Sequence, residues 1–519
     1  MARPQLERAL QVWLHTAAQT GDELQAVTAA AEALSDSPWD VIETAGFIAR
    51  GQLRTATEDL GLTHKLRSCK IDSKNALVQI PAGAPYPAFD RTGRQKMGAF
   101  DTPQSLALDL LKKTLAACEG TANRGLDPAC GTGIFLLAMK EAGLPFIHGC
   151  ELDPRAIAVA RVAVPEAQIK QIDGLMQGDQ VDIVVGNPPY IPPERQNPKL
   201  RQELRDRFPW LGRRFDLAVP FSAAAIERVR TGGATGLLLP STLLSQPYAE
   251  ALRRNWLTQH QIQWLSNLQD FPEVSIQIAA IVLKINRPPC PLPSGVTPQE
   301  LLALKQAPLS TFLAPGDPEI VKRIRSESVE LGSMCEVDTG VVSHGPLGGK
   351  ERLISDSPAK DLYAYVDAKD MQAKRIRWLR YEPHTMHRPK RLSLFSSPKL
   401  LIQRLRGNGP ISAWIDTEGL VAGHTLTVVR PESSQIPLEK LLQLVQSPLI
   451  DGLIRIERGN RLDLYPHDVA SIPVPKAWLT DPSRSLSDAW GLRPPDVQRL
   501  KGISLQQRSP NGPKPHPPS

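Results

Sequence analysis

The residues Leu126-Asp127-Pro128-Ala129-Cys130-Gly131-Thr132-Gly133 join a short apolar run at 125–126 to a helix-patterned segment at 134–142. That is the strand, turn and helix with which a parallel α/β unit begins. Gly131 and Gly133 let the backbone turn tightly and approach a ligand closely. No Lys followed by Ser or Thr comes after them, so the ligand need not be a nucleoside triphosphate. Asp127, directly after the strand, suits a cationic ammonium group.

Outward from this turn, short apolar strands recur at 146–152, 168–172, 181–185, 236–239 and 278–285. Helical segments at 102–117, 154–162 and 217–230 stand among them, the first with Thr102 as cap and Pro103 at its first position. The alternation predicts a mostly parallel sheet covered by helices on both faces, with ligands at the carboxyl ends of its strands. Two more acids stand at such ends. Glu151 closes the second strand, where a carboxylate can accept hydrogen bonds from two ribose hydroxyls. Asp173 follows the third and can accept from an adenine amino group. Acids after three successive strands trace one adenosyl ligand.

The strand at 181–185 runs into Gly186-Asn187-Pro188-Pro189-Tyr190. Two prolines fix the backbone and remove two N–H donors, leaving rigid carbonyls. The Asn187 side-chain oxygen and the Pro188 carbonyl then form a pair of acceptors suited to a planar amino group such as adenine N6. Accepting both N–H bonds localises the nitrogen lone pair, which can attack the S-methyl group of a sulfonium held in line. Rate comes from positioning and fixed dipoles, with no strong base. Tyr190 offers a face on which a flipped-out base can stack.

In this order, Thr102-Pro103, the turn at 127–133, Glu151, Asp173, Asn187–Tyr190 and a basic C-terminal region resemble the gamma-type adenine-N6 DNA methyltransferases of restriction–modification systems. The resemblance spans roughly residues 95–480, and Asn-Pro-Pro-Tyr is its most specific part. It implies a Rossmann-like S-adenosylmethionine domain, then an α+β target-recognition domain that reads double-stranded DNA. By the same pattern Asn187, Pro188, Pro189 and Tyr190 are catalytic, and Asp127, Pro128, Ala129, Gly131 and Gly133 cradle the cofactor. Thr102 lies at its methionine end, Glu151 at the ribose and Asp173 at the adenine amino group. Leu152 and Phe221 pack on the adenine faces, and Phe271 is the second aromatic against the flipped base. Closing elements of a specificity domain are matched at 447–461 and 472–475.

Composition bears on the partner. The chain has 519 residues, 41% hydrophobic and 22% charged, enough for packed cores, and 48 prolines that imply stiff loops. Its net charge of +7 is unevenly spread: residues 374–406 hold ten Lys/Arg against Glu382, a net +9, so the remainder sums to −2. Such a stretch fits phosphate contacts by Lys374, Arg375, Arg377, Arg388, Lys390, Arg391, Arg404 and Arg406. Trp378, Tyr381 and Phe395 are interleaved with it, and His424 reads as structural.

The expected organisation is a helical N-terminal segment (1–90), a methyltransferase domain (91–290), a Pro-rich linker (291–320), a recognition domain (321–480) and a partly disordered tail (481–519). No apolar run reaches 18 residues and no signal peptide is evident, which excludes a bilayer span and predicts a cytoplasmic protein. Six scattered cysteines without a CxxC pair read as reduced thiols, and no metal site is expected.

A nuclease would need an acid pair followed by a lysine. Residues 1–90 offer none, and Asp361 with Gln372-Ala373-Lys374 is a chance match. A separately encoded restriction endonuclease acting on the same site is the partner the resemblance leaves open. Two other readings compete. Asn-Pro-Pro-Tyr also serves enzymes that methylate glutamine amides of release factors, but those are shorter and lack a basic C-terminal domain. A catalytically inactive DNA-binding relative would have no need of Asn187 and the three acids.

Overall fold

The computed structural model describes residues 3–45, 102–175, 178–268, 277–310, 313–343, 352–396, 398–405, 410–432, 436–459 and 463–505. Phe271, Arg406, the stretch at 46–101 and the final residues from 506 lie outside them. The chain divides into two compact units, Met1–Thr311 and Phe312–Ser519.

The first unit is built on a seven-stranded sheet, in the order β3-β2-β1-β4-β5-β7-β6. Its strands are β1 (Arg124–Asp127), β2 (Phe146–Glu151), β3 (Gln168–Gln171), β4 (Val181–Gly186), β5 (Val229–Pro240), β6 (Gln261–Leu268) and β7 (Ile278–Lys284). β1 to β5 pair in parallel, while β7 runs antiparallel to both β5 and β6. The centre is apolar because it is covered on both faces: Ile183, Val184 and Val185 of β4 and Leu237 to Leu239 of β5 are buried. Parallel strands all end on one edge, so Asp127, Glu151 and Gly186 come to the same side of the sheet.

Besides one short helical turn at Pro38–Asp40, the described helices are α1 (Arg3–Thr20), α2 (Glu23–Glu32), α3 (Gln104–Ala117), α4 (Ile134–Glu141), α5 (Pro154–Ala163), α6 (Pro198–Arg207), α7 (Ala218–Glu227), α8 (Glu250–Gln259) and α9 (Pro298–Leu302). α3 begins one residue later than expected, with Pro103 in the cap position and no side-chain cap bond. Thr102 is thereby released from capping. Asp22 caps α2 through Leu24 N (2.9 Å) and Gln25 N (3.2 Å), and Glu23 then meets the buried Arg155 of α5 at 3.2 Å. Trp39 donates to Glu141 of α4 at 2.6 Å. The N-terminal helices therefore brace the two helices that follow β1 and β2.

The expected linker at 291–320 is not a free connector. Val296, Leu301, Leu304, Ala307 and Leu309 are buried, and Thr297 and Glu300 close a capping box on α9. Arg253 of α8, fully buried, donates to the carbonyls of Leu243, Gln246, Gln306 and Ala307 and ties this stretch down. Its prolines punctuate apolar residues that need covering, and those residues decide its fate.

The second unit opens with α10 (Asp317–Ser326). Its strands are β8 (Ser328–Glu330), β9 (Cys335–Thr339), β10 (Ile354–Ser355), β11 (Tyr363–Val366), β12 (Arg377–Leu379), β13 (Lys399–Gln403), β14 (Ala413–Asp416), β15 (Val421–Ala422), β16 (Leu426–Pro431) and β17 (Pro473–Pro475). They form sheets ordered β14-β13-β16-β9, β10-β12-β11-β15 and β17-β8. All pairings are antiparallel except β11 with β15, and helices α11 (Ala368–Ala373), α12 (Leu438–Gln446), α13 (Pro448–Arg458) and α14 (Pro494–Leu505) complete an α+β unit. The expected tail at 481–519 is folded as far as α14: Trp490, Leu500 and Ile503 are buried, and Arg499 pairs with Asp317 at 2.7 Å. No described helix is long and apolar enough to cross a membrane.

Candidate active site

At the carboxyl edge of the sheet the strand order sets Asp173, Glu151, Asp127 and Asn187 in a row, after β3, β2, β1 and β4 respectively. The turn between β1 and α4 uses two left-handed glycines, Gly131 (φ 53°) and Gly133 (φ 98°). A Cβ on Gly133 would lie 3.1 Å from the Cβ of Ala160, so a side chain there would be strained by its conformation and crowded by its neighbour.

Glu151 holds this turn from the neighbouring strand. Its carboxylate accepts from Gly131 N (2.9 Å), Leu152 N (2.7 Å) and Asp153 N (2.9 Å). Burial raises its pKa and these N–H groups oppose the rise. Three of roughly four acceptor positions on the carboxylate are filled, which leaves about one for a ribose hydroxyl. The second ribose bond expected of Glu151 would have to share or displace a backbone donor.

Asp127 is buried, and its one described donor is Ala129 N at 3.0 Å. Burial, with the nearby charge of Glu151, pushes its pKa up to about 8. A buried acid with no cation facing it among the described residues fits a positively charged ligand. Asp173 accepts from Leu175 N at 2.9 Å and is likewise raised by burial. Phe221 is buried on α7, and Leu152 is half-buried beside Glu151. These groups can hold an adenosyl cofactor.

Asn187 follows β4 and is half-buried. Its Nδ2 donates to Thr102 Oγ1 at 3.3 Å, and its Oδ1 accepts from the Tyr190 hydroxyl at 2.5 Å. Thr102 thus meets the Asn187 amide directly. Tyr190 is itself buried, 3% exposed, so its ring is packed rather than displayed. In this state the hydroxyl occupies the Asn187 side-chain oxygen.

Sequence reasoning passed over four residues that shape this site. Gly174 approaches the Pro128 carbonyl so closely that a Cβ would fall 1.7 Å from its oxygen. Gly186 faces Asp127 in the same way, a Cβ there lying 2.7 Å from Oδ1. Gln196, buried, donates to Ile191 O (2.7 Å) and Phe215 O (2.8 Å) and so ties the Asn-Pro-Pro-Tyr turn to the start of α7. Asp216 accepts from Ala218 N at 2.9 Å and from the Ile191 N–H, and burial lifts its pKa to about 6. The Asp-Gly pair at 173–174 and the Gly before Asn187 are the signals that were there to be read.

The basic stretch turns out differently from its charge count. Arg377 donates to Asp367 at 2.8 Å and Asp370 at 2.6 Å, and Arg375 pairs with Asp370 at 2.9 Å. Lys390 meets Asp338 at 2.6 Å, Arg391 meets Glu336, and the fully buried Lys399 meets Asp416. These acids lie outside residues 374–406 and are delivered by β9, β14 and the start of α11. Among the described residues, five of the ten cations in this stretch are therefore paired with acids from elsewhere in the fold, and Arg377 is half-buried against two of them. Lys374 and Arg388 are exposed and, among the described residues, have no acid partner. Arg404 lies over the Tyr465 ring at 4.9 Å and donates to the His424 carbonyl at 2.8 Å.

Residues 147–272, which run from β2 through the Asn-Pro-Pro-Tyr turn, match the Eco57I restriction-modification methylase family. The chain is 23% identical over 361 residues to the type II methyltransferase M.TthHB8I of Thermus thermophilus, covering 64% of this chain and 80% of that one. It is 25% identical over 199 residues to the modification methylase CviBIII of Paramecium bursaria Chlorella virus NC1A, covering 37% of this chain and half of the viral one. Its fold is similar to that of the type IIL restriction-modification enzyme MmeI, solved in complex with DNA, with a TM-score of 0.51 at 13% identity over 80% of this chain and 77% of that one. Over residues 147–272 the chain thus carries an Eco57I-type restriction-modification methylase domain, and the cofactor that this likeness implies is S-adenosylmethionine.

Proposed function

We propose that this protein transfers the methyl group of S-adenosylmethionine to N6 of an adenine flipped out of double-stranded DNA, at one recurring sequence. The observation that carries the reading is the Asn187 amide at the end of β4, next to the buried acid that ends β1. Asn187 Oδ1 and the Pro188 carbonyl accept hydrogen bonds from the two N6–H groups. The N6 lone pair then forms the new bond to the methyl carbon as its bond to sulfur breaks, and the sulfide leaves with that electron pair. N6 afterwards loses a proton to water. The Tyr190 hydroxyl must release Asn187 before the base arrives, and its ring, packed in this structure, must become exposed for the base to stack on it.

The test is to incubate the protein with methyl-labelled S-adenosylmethionine and duplex DNA, then digest the DNA to nucleosides. Label in N6-methyldeoxyadenosine supports the reading. Label absent from DNA but present in a release factor would replace it with glutamine-amide methylation. A separately encoded endonuclease acting at the same site fits as partner, and the free thiols of Cys118, Cys130, Cys150 and Cys335 fit a cytoplasmic setting.

A second expectation follows from Asp127. Below about pH 8 this acid carries a proton, and a cationic ligand favours its charged form, so cofactor binding expels a proton. Affinity for S-adenosylmethionine should therefore rise by up to about tenfold per pH unit between about pH 6 and 7.5. Calorimetry in two buffers of different ionisation enthalpy should show close to one proton released at about pH 6.5. Binding without proton release would remove Asp127 from contact with the ligand's charge.

A further inference from the structure

Surface glutamines are ordinarily free rotors, yet two at the exit of β13 are held. Gln372, exposed near the end of α11, donates its Nε2 to Gln403 Oε1 at 2.9 Å. Gln403, the last residue of β13, donates its own Nε2 to the Leu405 carbonyl. Each amide nitrogen keeps a second N–H. Gln372 Oε1 has no partner among the described residues. An exposed pair of this kind adds little to stability, while side-chain entropy is already lost in holding it. What it supplies is a pre-oriented donor beside an acceptor. Adenine presents the complement in the major groove, N7 as acceptor and N6 as donor, and a glutamine amide is the side chain that matches it. Lys374, two residues beyond Gln372, is an exposed cation without a described acid partner, and so is Arg388.

We propose that the Gln372–Gln403 pair reads an adenine edge in the recognised DNA sequence, distinct from the base that is methylated, while Lys374 and Arg388 hold phosphates. This rests on the DNA reading above.

The test uses the full chain with S-adenosylmethionine on a pool of random-sequence duplexes, sequenced for methylated positions, alongside duplex binding measured across salt concentrations. Gln372→Ala and Gln403→Ala should lose about 10- to 100-fold discrimination at one position of the target and leave the salt dependence unchanged. Lys374→Ala and Arg388→Ala should keep the target sequence and each lower the slope of log affinity against log salt by about 1. Glutamine variants that keep full discrimination at every position would overturn the assignment. A wild-type protein that methylates no duplex in the pool would instead overturn the DNA reading itself.

Discussion

Asn187→Ala should lower the rate of methyl transfer by about 10²- to 10³-fold, the loss typical of removing one fixed dipole from a reacting group. The alanine takes away the Oδ1 acceptor, so the N6 amino group keeps its lone pair delocalised into the ring. It also removes the link to Thr102 and the hydroxyl bond from Tyr190. Cofactor affinity should change little, because Glu151 and the Gly131–Gly133 turn are held by β1 and β2 and their own backbone bonds. Single-turnover transfer from labelled cofactor, set against calorimetric binding, separates the two effects. Asn187→Asp keeps an acceptor of the same shape and should lose less. Undiminished turnover in the alanine variant would show that the acceptor pair does not drive the reaction.

The second large effect is expected where the charge count pointed to DNA and the fold does not. Arg377→Ala should destabilise the C-terminal unit by about 3 kcal/mol, because it strands buried carboxylates. Asp370 is fully buried and Asp367 nearly so, and Arg377 reaches both. The guanidinium also lies 5.4 Å from the centre of the Tyr365 ring. Arg375 remains to pair with Asp370, which keeps the loss near the lower end for a broken buried pair. Burial works to raise the Asp370 pKa, but the Arg377 and Arg375 bonds and the Asp367 N–H hold it below the ordinary value of 3.8. Its stabilising contribution is therefore complete above about pH 4 and lost as pH falls through the folded value. Urea unfolding at neutral pH measures the difference. An unchanged midpoint together with weakened DNA binding would return Arg377 to the DNA surface.

These two residues also mark what the sequence could and could not disclose. The place of Asn187 was legible because its signal is local: a buried strand, an amide and two prolines are contiguous, and the row of acids follows from parallel strands ending together. Gly174 escaped notice because its reason is a carbonyl 46 positions earlier, at Pro128. Arg377 misled for the same reason. A run of cations says nothing about the acids that β9, β14 and α11 bring to it, since those pairings exist only after the sheets form. The apolar residues among the prolines at 291–310 were likewise visible, but the buried Arg253 that gathers their carbonyls was not. Strand β6 was missed because its burial is partial, and a half-covered edge strand carries a weak apolar signal.

The most direct test of the account is to express the protein from a plasmid in a host without DNA methylation and sequence the modified bases. The prediction is N6-methyladenine at a single recurring sequence, in nearly all copies, and its absence with Asn187→Ala. Methylation confined to cytosines, or unmodified DNA from a soluble protein that binds S-adenosylmethionine, would contradict it.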